Sequence, residues 1–340
     1  MDLCERVAPH QVKYVWFDTG IEYQATKEHL EYLENHYGVK IERVKASVPV
    51  PLGNKKWGQP FLSKQVSENI YRLQKHDFKW EDKSFDELYS EYPKCKSALK
   101  WWCNETGDGS FFGINRNSWL KEFMLLNPPQ FKISQRCCEG AKKNPSYEYA
   151  KINNADLIIT GIRRSEGGQR TTAYKGDFGV SHSINQFRPI FSFNDSDKSE
   201  YEQKFNIVHS KCYTEYGLKR TGCAGCPFGR DCESEFEIAE KFEPRLYKAI
   251  NNIFSDSREY TRKYREFQKA MKLKFGKNKK CCKCGSLIVE DDVIPMNLKY
   301  YGRNINQFEC KACFMSVNNM SEEDWKDAIE GFKSQGCELF

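Results

Sequence analysis

Near its beginning the chain reads Val12-Lys13-Tyr14-Val15-Trp16-Phe17-Asp18-Thr19-Gly20. β-Branched and aromatic residues followed by Asp and Gly predict a strand that runs into a functional loop. Apolar residues at helical spacing over 26–37, followed by Gly38, predict a helix, and the apolar alternation over 41–46 predicts a second strand. The order strand, helix, strand is typical of a parallel α/β unit.

Beyond this unit the hydrophobic pattern weakens and then changes. The near-continuous apolar run in 155–161 predicts a central strand buried on both faces, and 188–193 predict a short peripheral strand. The predicted organisation is an α/β domain over 1–235 with an insertion over about 51–127, a basic helical region over 236–280, and a cysteine-bearing module with a C-terminal helix over 281–340.

The composition narrows the class of protein. The 340 residues include 15 cysteines, with 53 Lys and Arg against 47 Asp and Glu. The first residues lack the apolar core of a signal peptide, and no stretch approaches the ~18 consecutive apolar residues of a membrane span. We therefore expect a cytoplasmic protein with no membrane partner. In a reducing compartment, clustered cysteines indicate metal binding more often than disulfides.

One group of cysteines has the spacing of a zinc ribbon. Two C-x-x-C pairs lie 25 residues apart, and together they offer four thiolates and no open position. We expect a structural zinc ion, with two unrelated buried pairs as the alternative and the neighbouring Cys282 as a substitute ligand. The predicted ligands are Cys281, Cys284, Cys310 and Cys313.

A second group joins adjacent cysteines to a distant C-x-x-C pair. Four thiolates are the usual ligands of a [4Fe–4S] cluster, and such sites often combine a C-x-x-C with remote cysteines. Zinc is the rival metal, and ordinary packing of the adjacent pair is the other alternative. The candidate ligands are Cys137, Cys138, Cys223 and Cys226.

These motifs in this order resemble the phosphoadenosine phosphosulfate (PAPS) reductase family of the adenine nucleotide alpha-hydrolase-like superfamily. The segment 17–23 looks like the family's strand-end motif, and Gly161-Ile162-Arg163-Arg164 with Arg170 looks like its Gly-x-Arg-x(6)-Arg substrate loop. The resemblance covers about residues 1–235 and is greatest to bacterial and phage members that carry a C-terminal zinc ribbon.

The resemblance implies a parallel-sheet, Rossmann-like α/β fold, an oxidoreductase or sulfurtransferase chemistry, and ATP or PAPS as nucleotide ligand. Arginines in a loop after a strand suit bidentate binding of phosphate or sulfate, and such ligands bind beyond the carboxyl ends of strands. A solvated loop paired with Glu166 is the alternative for the arginines. The implied nucleotide or substrate residues are Asp18, Thr19, Gly20, Gly161, Arg163, Arg164 and Arg170.

Two features depart from the family pattern. The phosphate loop that should precede the first helix is missing, because the sequence begins where that helix would begin. We expect either a true start further upstream or an incomplete nucleotide site. Reductases of this family carry a nucleophilic cysteine in a C-terminal tail, and Cys337 is the candidate here, although no His follows it and Lys333 is the one nearby cation. A surface or packing role for Cys337 is the alternative.

Three functions remain open. The first is a sulfonucleotide reductase that releases sulfite and uses a thiol donor such as thioredoxin. The second is an ATP-dependent sulfurtransferase of the DNA phosphorothioation or tRNA thiolation type, whose DNA or RNA would meet the zinc ribbon and the basic stretch 258–280. The third is a degenerate, non-enzymatic nucleic-acid-binding module. Aromatic residues within 258–280 would either serve such binding or pack as one face of an amphipathic helix.

Overall fold

The computed structural model describes residues 1–106, 112–167, 173–229, 232–276, 279–302, 305–334, 337 and 339. The α-helices within these ranges are, in chain order, α1 Asp2–Val7, α2 Gln24–Tyr37, α3 Val50–Trp57, α4 Lys64–Gln74, α5 Phe85–Glu91, α6 Lys96–Trp102, α7 Leu120–Leu126, α8 Asn144–Ile152, α9 Asp195–Lys204, α10 Lys211–Thr214, α11 Cys232–Phe242, α12 Pro244–Ile253, α13 Ser255–Gly276, α14 Val293–Tyr301, α15 Lys311–Val317 and α16 Glu322–Ser334. None of these helices has the length and apolar content needed to cross a membrane.

The first sheet is the predicted strand–helix–strand unit. Strands β1 (Tyr14–Asp18) and β2 (Ile41–Lys45) pair in parallel, with Tyr14 opposite Ile41 and Asp18 opposite Lys45. Helix α2 connects them, and Gly38 ends it in the left-handed region at φ 62°, which glycine adopts at no steric cost. The parallel α/β unit expected from the opening sequence is therefore confirmed.

The second sheet differs from the prediction. Strands β3 (Leu157–Ile159), β4 (Phe178–Ser181) and β5 (Ile184–Phe187) have the order β3-β5-β4, with β3 parallel and β4 antiparallel to β5. The strand predicted over 155–161 is three residues long, and it is not buried on both faces, because β3 is an edge strand whose Leu157 is 41% exposed. Residues 188–193 form turns after β5 instead of the predicted strand, since Pro189 has no N–H to donate to a ladder.

Among the described residues, no ladder joins the two sheets. The fold is thus a mixed, largely helical α/β structure with small parallel sheets, and the Rossmann-like assignment stays a prediction.

The chain divides into two compact units. The first contains residues 1–112 and 129–259, and the second contains 113–128 and 260–340. The division falls within α13, and the three-part organisation inferred from the sequence stays a prediction. Each unit has its own buried apolar core, one that includes Cys137, Phe236 and Ile250, and one centred on Phe314 and Trp325.

Residues 51–106 of the predicted insertion belong to the first unit and contain a set of packed aromatic rings. The ring of Phe78 lies 5.2 Å from that of Tyr92 and 5.7 Å from that of Trp102, centroid to centroid, in edge-on arrangements. Trp102 also donates from its indole nitrogen to the Glu81 carbonyl at 2.8 Å. Helices α3 to α6 therefore form a helical layer in which aromatic side chains pack, and the assignment of 51–127 as an insertion stays a prediction.

Helix α13 carries its aromatic residues on a packed face. Within the second unit, Tyr260 and Tyr264 are buried and their rings lie 5.0 and 5.3 Å from that of Phe123. Their hydroxyls donate to the carbonyls of Asn127 and Ser118. These tyrosines thus form the packing face of an amphipathic helix and are not available for stacking on bases.

Candidate functional site

The loop after β1 has a fixed shape. Asp18 accepts a hydrogen bond from the Gly20 N–H at 2.8 Å, and Gly20 has φ +87°. A Cβ there would also lie 3.2 Å from that of Pro49. Thr19, between Asp18 and Gly20, is fully buried, and its hydroxyl donates to Glu22 at 2.8 Å. The predicted Asp-Thr-Gly motif therefore presents a buried hydroxyl and a buried carboxylate at the carboxyl end of a parallel strand, where open α/β sheets bind their ligands.

The distant C-x-x-C segment packs directly against this loop. The Ala224 N–H donates to the Ile21 carbonyl at 3.0 Å, and the Cys223 thiol donates to the Thr19 hydroxyl at 3.5 Å. Gly225 lies in the left-handed region, and a Cβ on it would come within about 3 Å of Phe236 and Ile250. Glycine at this position lets the loop approach the core closely enough to bring Cys223 to Thr19.

The adjacent cysteines, Cys137 and Cys138, also lie in a tightly packed part of the first unit. Cys138 is the residue before a single π-helical turn, Glu139–Lys143, a local form that is frequent at functional sites. A Cβ on Gly53 of α3 would lie 3.2 Å from the Cα of Cys137, and one on Gly140 would lie 2.8 Å from the Trp57 ring. A side chain at Gly140 would therefore force its neighbours to move, and one at Gly53 would fit only if the backbone of Cys137 shifted slightly.

The four thiols interact with one another electrostatically. A hydrogen bond between Cys137 and Cys138 raises the pKa of the first and lowers that of the second to about 6, with Lys64 and Lys142 also favouring the second thiolate. Burial raises the pKa of Cys223 and of Cys226, and charge on the other thiols raises it further. The structure places Cys137 in a buried core against which Cys138 and Cys223 pack, and the assignment of these three and Cys226 to one ligand set stays a prediction.

Lys142 is a member of this site that the sequence analysis did not single out. Its ammonium lies 3.8 Å from Glu22. Partial burial opposes its charge, but the negative charges of Cys223, Glu22 and Cys138 outweigh that and raise its pKa. Burial raises the pKa of Glu22, against the effect of Lys142. The spacing of four residues from Cys138, one helical turn, is the sequence signal that would have found Lys142.

Cys232 is a fifth thiol close to the same place. Its sulfur donates to the Gly225 carbonyl at 3.6 Å, and burial with nearby Glu235 and Glu233 raises its pKa to about 12. Burial raises the pKa of Cys223 and Cys226 as well, so Cys232 is a fifth buried thiol of the same kind next to the C-x-x-C loop.

The predicted arginine loop approaches the C-x-x-C segment from another side. Arg163 contacts Asp195 at 2.8 Å and Glu166 at 3.9 Å, and Arg220 donates to the Glu166 carbonyl at 2.5 Å. Since Arg220 lies three residues before Cys223, this bond ties the loop to the thiol-bearing segment. Gly161 and Arg164 belong to the same loop, and Arg170 lies outside the described residues.

The sulfur atoms of the second cysteine group lie close together within the second unit. The sulfur atoms of Cys281, Cys284, Cys310 and Cys313 all lie within 4.8 Å of one another, so these residues could hold a metal ion. Elsewhere in the described ranges, no set of three or more ligand side chains is gathered this closely.

Two short loops build this tetracysteine group. In one loop the Gly285 N–H donates to the Cys281 carbonyl at 2.9 Å, with Gly285 at φ +75°. The other loop leads into α15, whose N-cap is Cys310. Although burial opposes it, hydrogen bonds from the backbones of Cys310, Cys284 and Lys283 lower the pKa of Cys281 to about 6, which favours the thiolate that a metal needs.

Two further cysteines of the second unit lie outside the group. Cys282 is exposed, and Cys337 is partly buried, with its N–H donating to the Phe332 carbonyl at 2.9 Å. A catalytic role for Cys337 stays a prediction.

Known proteins resemble the chain weakly and in part. No protein family profile matches it. An uncharacterised protein of Methanocaldococcus jannaschii is 23% identical over 258 residues, which is 74% of this chain and 37% of that protein. The adenosine 5′-phosphosulfate reductases of two Neisseria meningitidis strains are each 27% identical over 92 residues, which is 27% of this chain and 36% of theirs. The chain thus matches little more than a third of the length of these relatives, and the matches support a distant relationship to adenosine phosphosulfate reductases.

Proposed function

We propose that the first unit acts on an adenylylated sulfur compound in the manner of a sulfonucleotide reductase. One observation carries the proposal: the strand-end loop and the C-x-x-C segment meet through the bond between Cys223 and Thr19, and Cys138 packs against the same buried core as Cys223. The distant similarity to adenosine 5′-phosphosulfate reductases supports the same substrate class. The sulfonucleotide would bind at Asp18, Thr19, Gly20, Gly161, Arg163, Arg164 and Arg170.

The chemistry of the buried thiol group fits a [4Fe–4S] cluster held by Cys137, Cys138, Cys223 and Cys226. Four free thiols share one site, and Lys142 offers a cation to offset the negative charge that four thiolates would bring. The adjacent pair and the remote C-x-x-C pair together supply the four thiolates that such a cluster takes. When bound, the cluster would add a fixed charge that tunes the electrostatics of the site.

In this proposal the residues of the chain bind and orient the sulfonucleotide. Lys142 and the loop arginines attract the phosphate and sulfate oxygens, because guanidinium and ammonium groups form charge-assisted hydrogen bonds with them. Thr19 and Glu22 hold the loop against the C-x-x-C segment.

The reductase step needs a nucleophilic thiolate, for which Cys337 is the candidate. The thiolate attacks the sulfate sulfur, the bond from that sulfur to the bridging phosphate oxygen breaks, and the nucleotide leaves with its electron pair. A thiol donor such as thioredoxin then supplies two electrons, which releases sulfite and regenerates the cysteine.

Anaerobic purification followed by iron, sulfide and zinc analysis tests the metal assignment. We expect about four irons and four sulfides per chain, lost in Cys223→Ser and retained in Cys103→Ser. A colourless protein that contains two zinc ions would show that this site holds zinc and not an iron–sulfur cluster. Sulfite release from adenosine 5′-phosphosulfate or PAPS with thioredoxin tests the reaction, and binding of neither sulfonucleotide would contradict the proposal.

A nucleic-acid-modifying sulfurtransferase is the second candidate, with ATP in place of the sulfonucleotide. It rests on the basic stretch 258–280 and on the tetracysteine group, which we propose holds structural zinc. Because Tyr260 and Tyr264 are buried, phosphate contacts from exposed Arg262 and Lys269 would have to supply the affinity. Such binding to DNA or RNA should weaken steeply with salt. Salt-dependent binding with no nucleotide turnover would instead favour a non-enzymatic binding module.

A further inference from the structure

The helical layer of the first unit contains a cavity that the proposed reaction does not use. Its volume is about 270 Å³, at the lower end for a ligand pocket, so it suits a ligand the size of one ring system. Helices α4 and α6 supply most of the lining. The lining residues used below are Glu68, Asn69, Arg72, Trp101, Thr106 and Phe112.

The lining of this cavity includes two buried polar atoms without partners. The indole nitrogen of Trp101 donates to nothing, although Trp101 is 2% exposed, and the Thr106 hydroxyl is also unpartnered. A buried hydrogen-bonding group without a partner destabilises the fold, so native proteins keep few of them. The neighbouring Trp102 has its indole nitrogen bonded to a carbonyl, which makes Trp101 the exception.

The charges of the lining are already balanced. Arg72 contacts Glu68 at 2.8 Å, so the wall has one cation and one anion in a pair. The amide of Asn69, which is 8% exposed, adds a neutral polar group, and the ring of Phe112 is exposed. A ligand here should therefore be neutral and flat, with an acceptor for the Trp101 N–H and an edge that the Thr106 hydroxyl can bond.

We propose that this cavity binds a purine or pyrimidine base, separately from the nucleotide at the thiol group. Bases that are recognised out of a helix are bonded at their edges and stacked on aromatic rings, which the indole nitrogen, the hydroxyl and Phe112 provide. The base belongs either to a free nucleoside or to a single-stranded nucleic acid.

The cavity is connected to the adjacent cysteines. The side-chain amide of Gln135 donates to Glu68 of the cavity lining at 3.4 Å and to Glu139 at 3.2 Å. Gln135 and Glu139 lie on either side of Cys137-Cys138 in the sequence. A ligand in the cavity can thus affect the position of the adjacent cysteines through the hydrogen bonds of Gln135. The cavity is a separate site and is not part of the proposed reductase activity.

Calorimetric titration of the full chain with adenosine, guanosine, cytidine and uridine tests the proposal. We expect at least one nucleoside to bind, with about tenfold weaker binding in Trp101→Phe, which removes the N–H and leaves a smaller aromatic ring. The matched control is Trp102→Phe, which should bind as wild type while losing thermal stability. Thr106→Val gives a second, independent variant.

The same titration with single-stranded oligonucleotides distinguishes the two sources. Tighter binding of an oligonucleotide than of its nucleoside, lost in Trp101→Phe, assigns the base to a nucleic acid, and equal binding assigns it to a free nucleoside. Binding of no probe, or binding that is unchanged in both Trp101→Phe and Thr106→Val, would overturn the proposal. Because adenosine is also part of the proposed sulfonucleotide, binding is assigned to this cavity only where Trp101→Phe or Thr106→Val weakens it, which keeps the result separate from the reductase assay.

Discussion

The two four-cysteine groups of this protein differ in the burial of their cysteines and in the spacing of their sulfur atoms. The group in the first unit lies within an apolar core, with Cys137 3% exposed and the pKa of Cys226 raised by burial. The tetracysteine group lies on short loops with Cys284 exposed, and its four sulfurs lie within 4.8 Å of one another. Packing surrounds most of the first group, whereas the second combines buried Cys281 with exposed Cys284, so we expect it to depend more strongly on a bound metal.

The largest expected effect follows from that difference. Cys284→Ser should unfold the loops of the tetracysteine group, because structural zinc contributes on the order of 10–16 kcal/mol of apparent folding free energy. Zinc content should fall by about one ion per chain, and limited proteolysis should cleave within 281–313. The exposed neighbour Cys282→Ser is the control. If Cys284→Ser kept its zinc and its protease resistance, the contrast between the groups would be wrong.

The next effect tests the packing around the buried group. Gly140→Ala places a Cβ 2.8 Å from the Trp57 ring and should cost about 1–3 kcal/mol in free energy of unfolding. The same change at Gly331 of α16, where a Cβ meets nothing within 4 Å, should stabilise by about 0.5–1 kcal/mol. Urea denaturation measures both, and equal signs for the two variants would contradict the close packing at Gly140.

A smaller effect is expected at Thr19. Thr19→Val removes the bond to buried Glu22 and to Cys223, and leaving the carboxylate without its hydroxyl donor should cost about 1–2 kcal/mol. Thr19→Ser keeps the hydroxyl and should lose less. Denaturation midpoints of the two variants separate the hydroxyl from the methyl group, and identical losses would show that only packing matters there.

The smallest effect is a pH dependence from Glu22. Burial raises the pKa of Glu22, so this group contributes stability that is full below its unfolded pKa of about 4.3 and is lost as pH rises through the higher folded value. Glu22→Gln should flatten the decline of the denaturation midpoint across that window. The exposed Glu28→Gln on α2 is the control, and a wild-type slope in Glu22→Gln would mean that the carboxylate is not buried uncharged.

The sequence was informative where structure depends on neighbours in the chain. The strand at Tyr14–Asp18, the stop at Gly38 and the C-x-x-C spacing all follow from local patterns, and the structure has all three features. Local patterns failed where the partner is remote. The exposure of Leu157 depends on which strands pair, and Lys142 gains its role from Glu22 and Cys223, which lie far away in sequence.

The unconnected second sheet has a consequence for the behaviour of the protein in solution. The outer side of β3 forms no ladder with any other described strand, so it presents a row of unpaired backbone groups. On β4, the opposite edge strand of the same sheet, Phe178 and Val180 are more than 70% exposed, and together with Leu157 they line a cavity of about 520 Å³. An open edge beside exposed apolar side chains is a template for strand addition between chains. We therefore expect the rate at which the isolated chains associate to depend on protein concentration as well as on temperature.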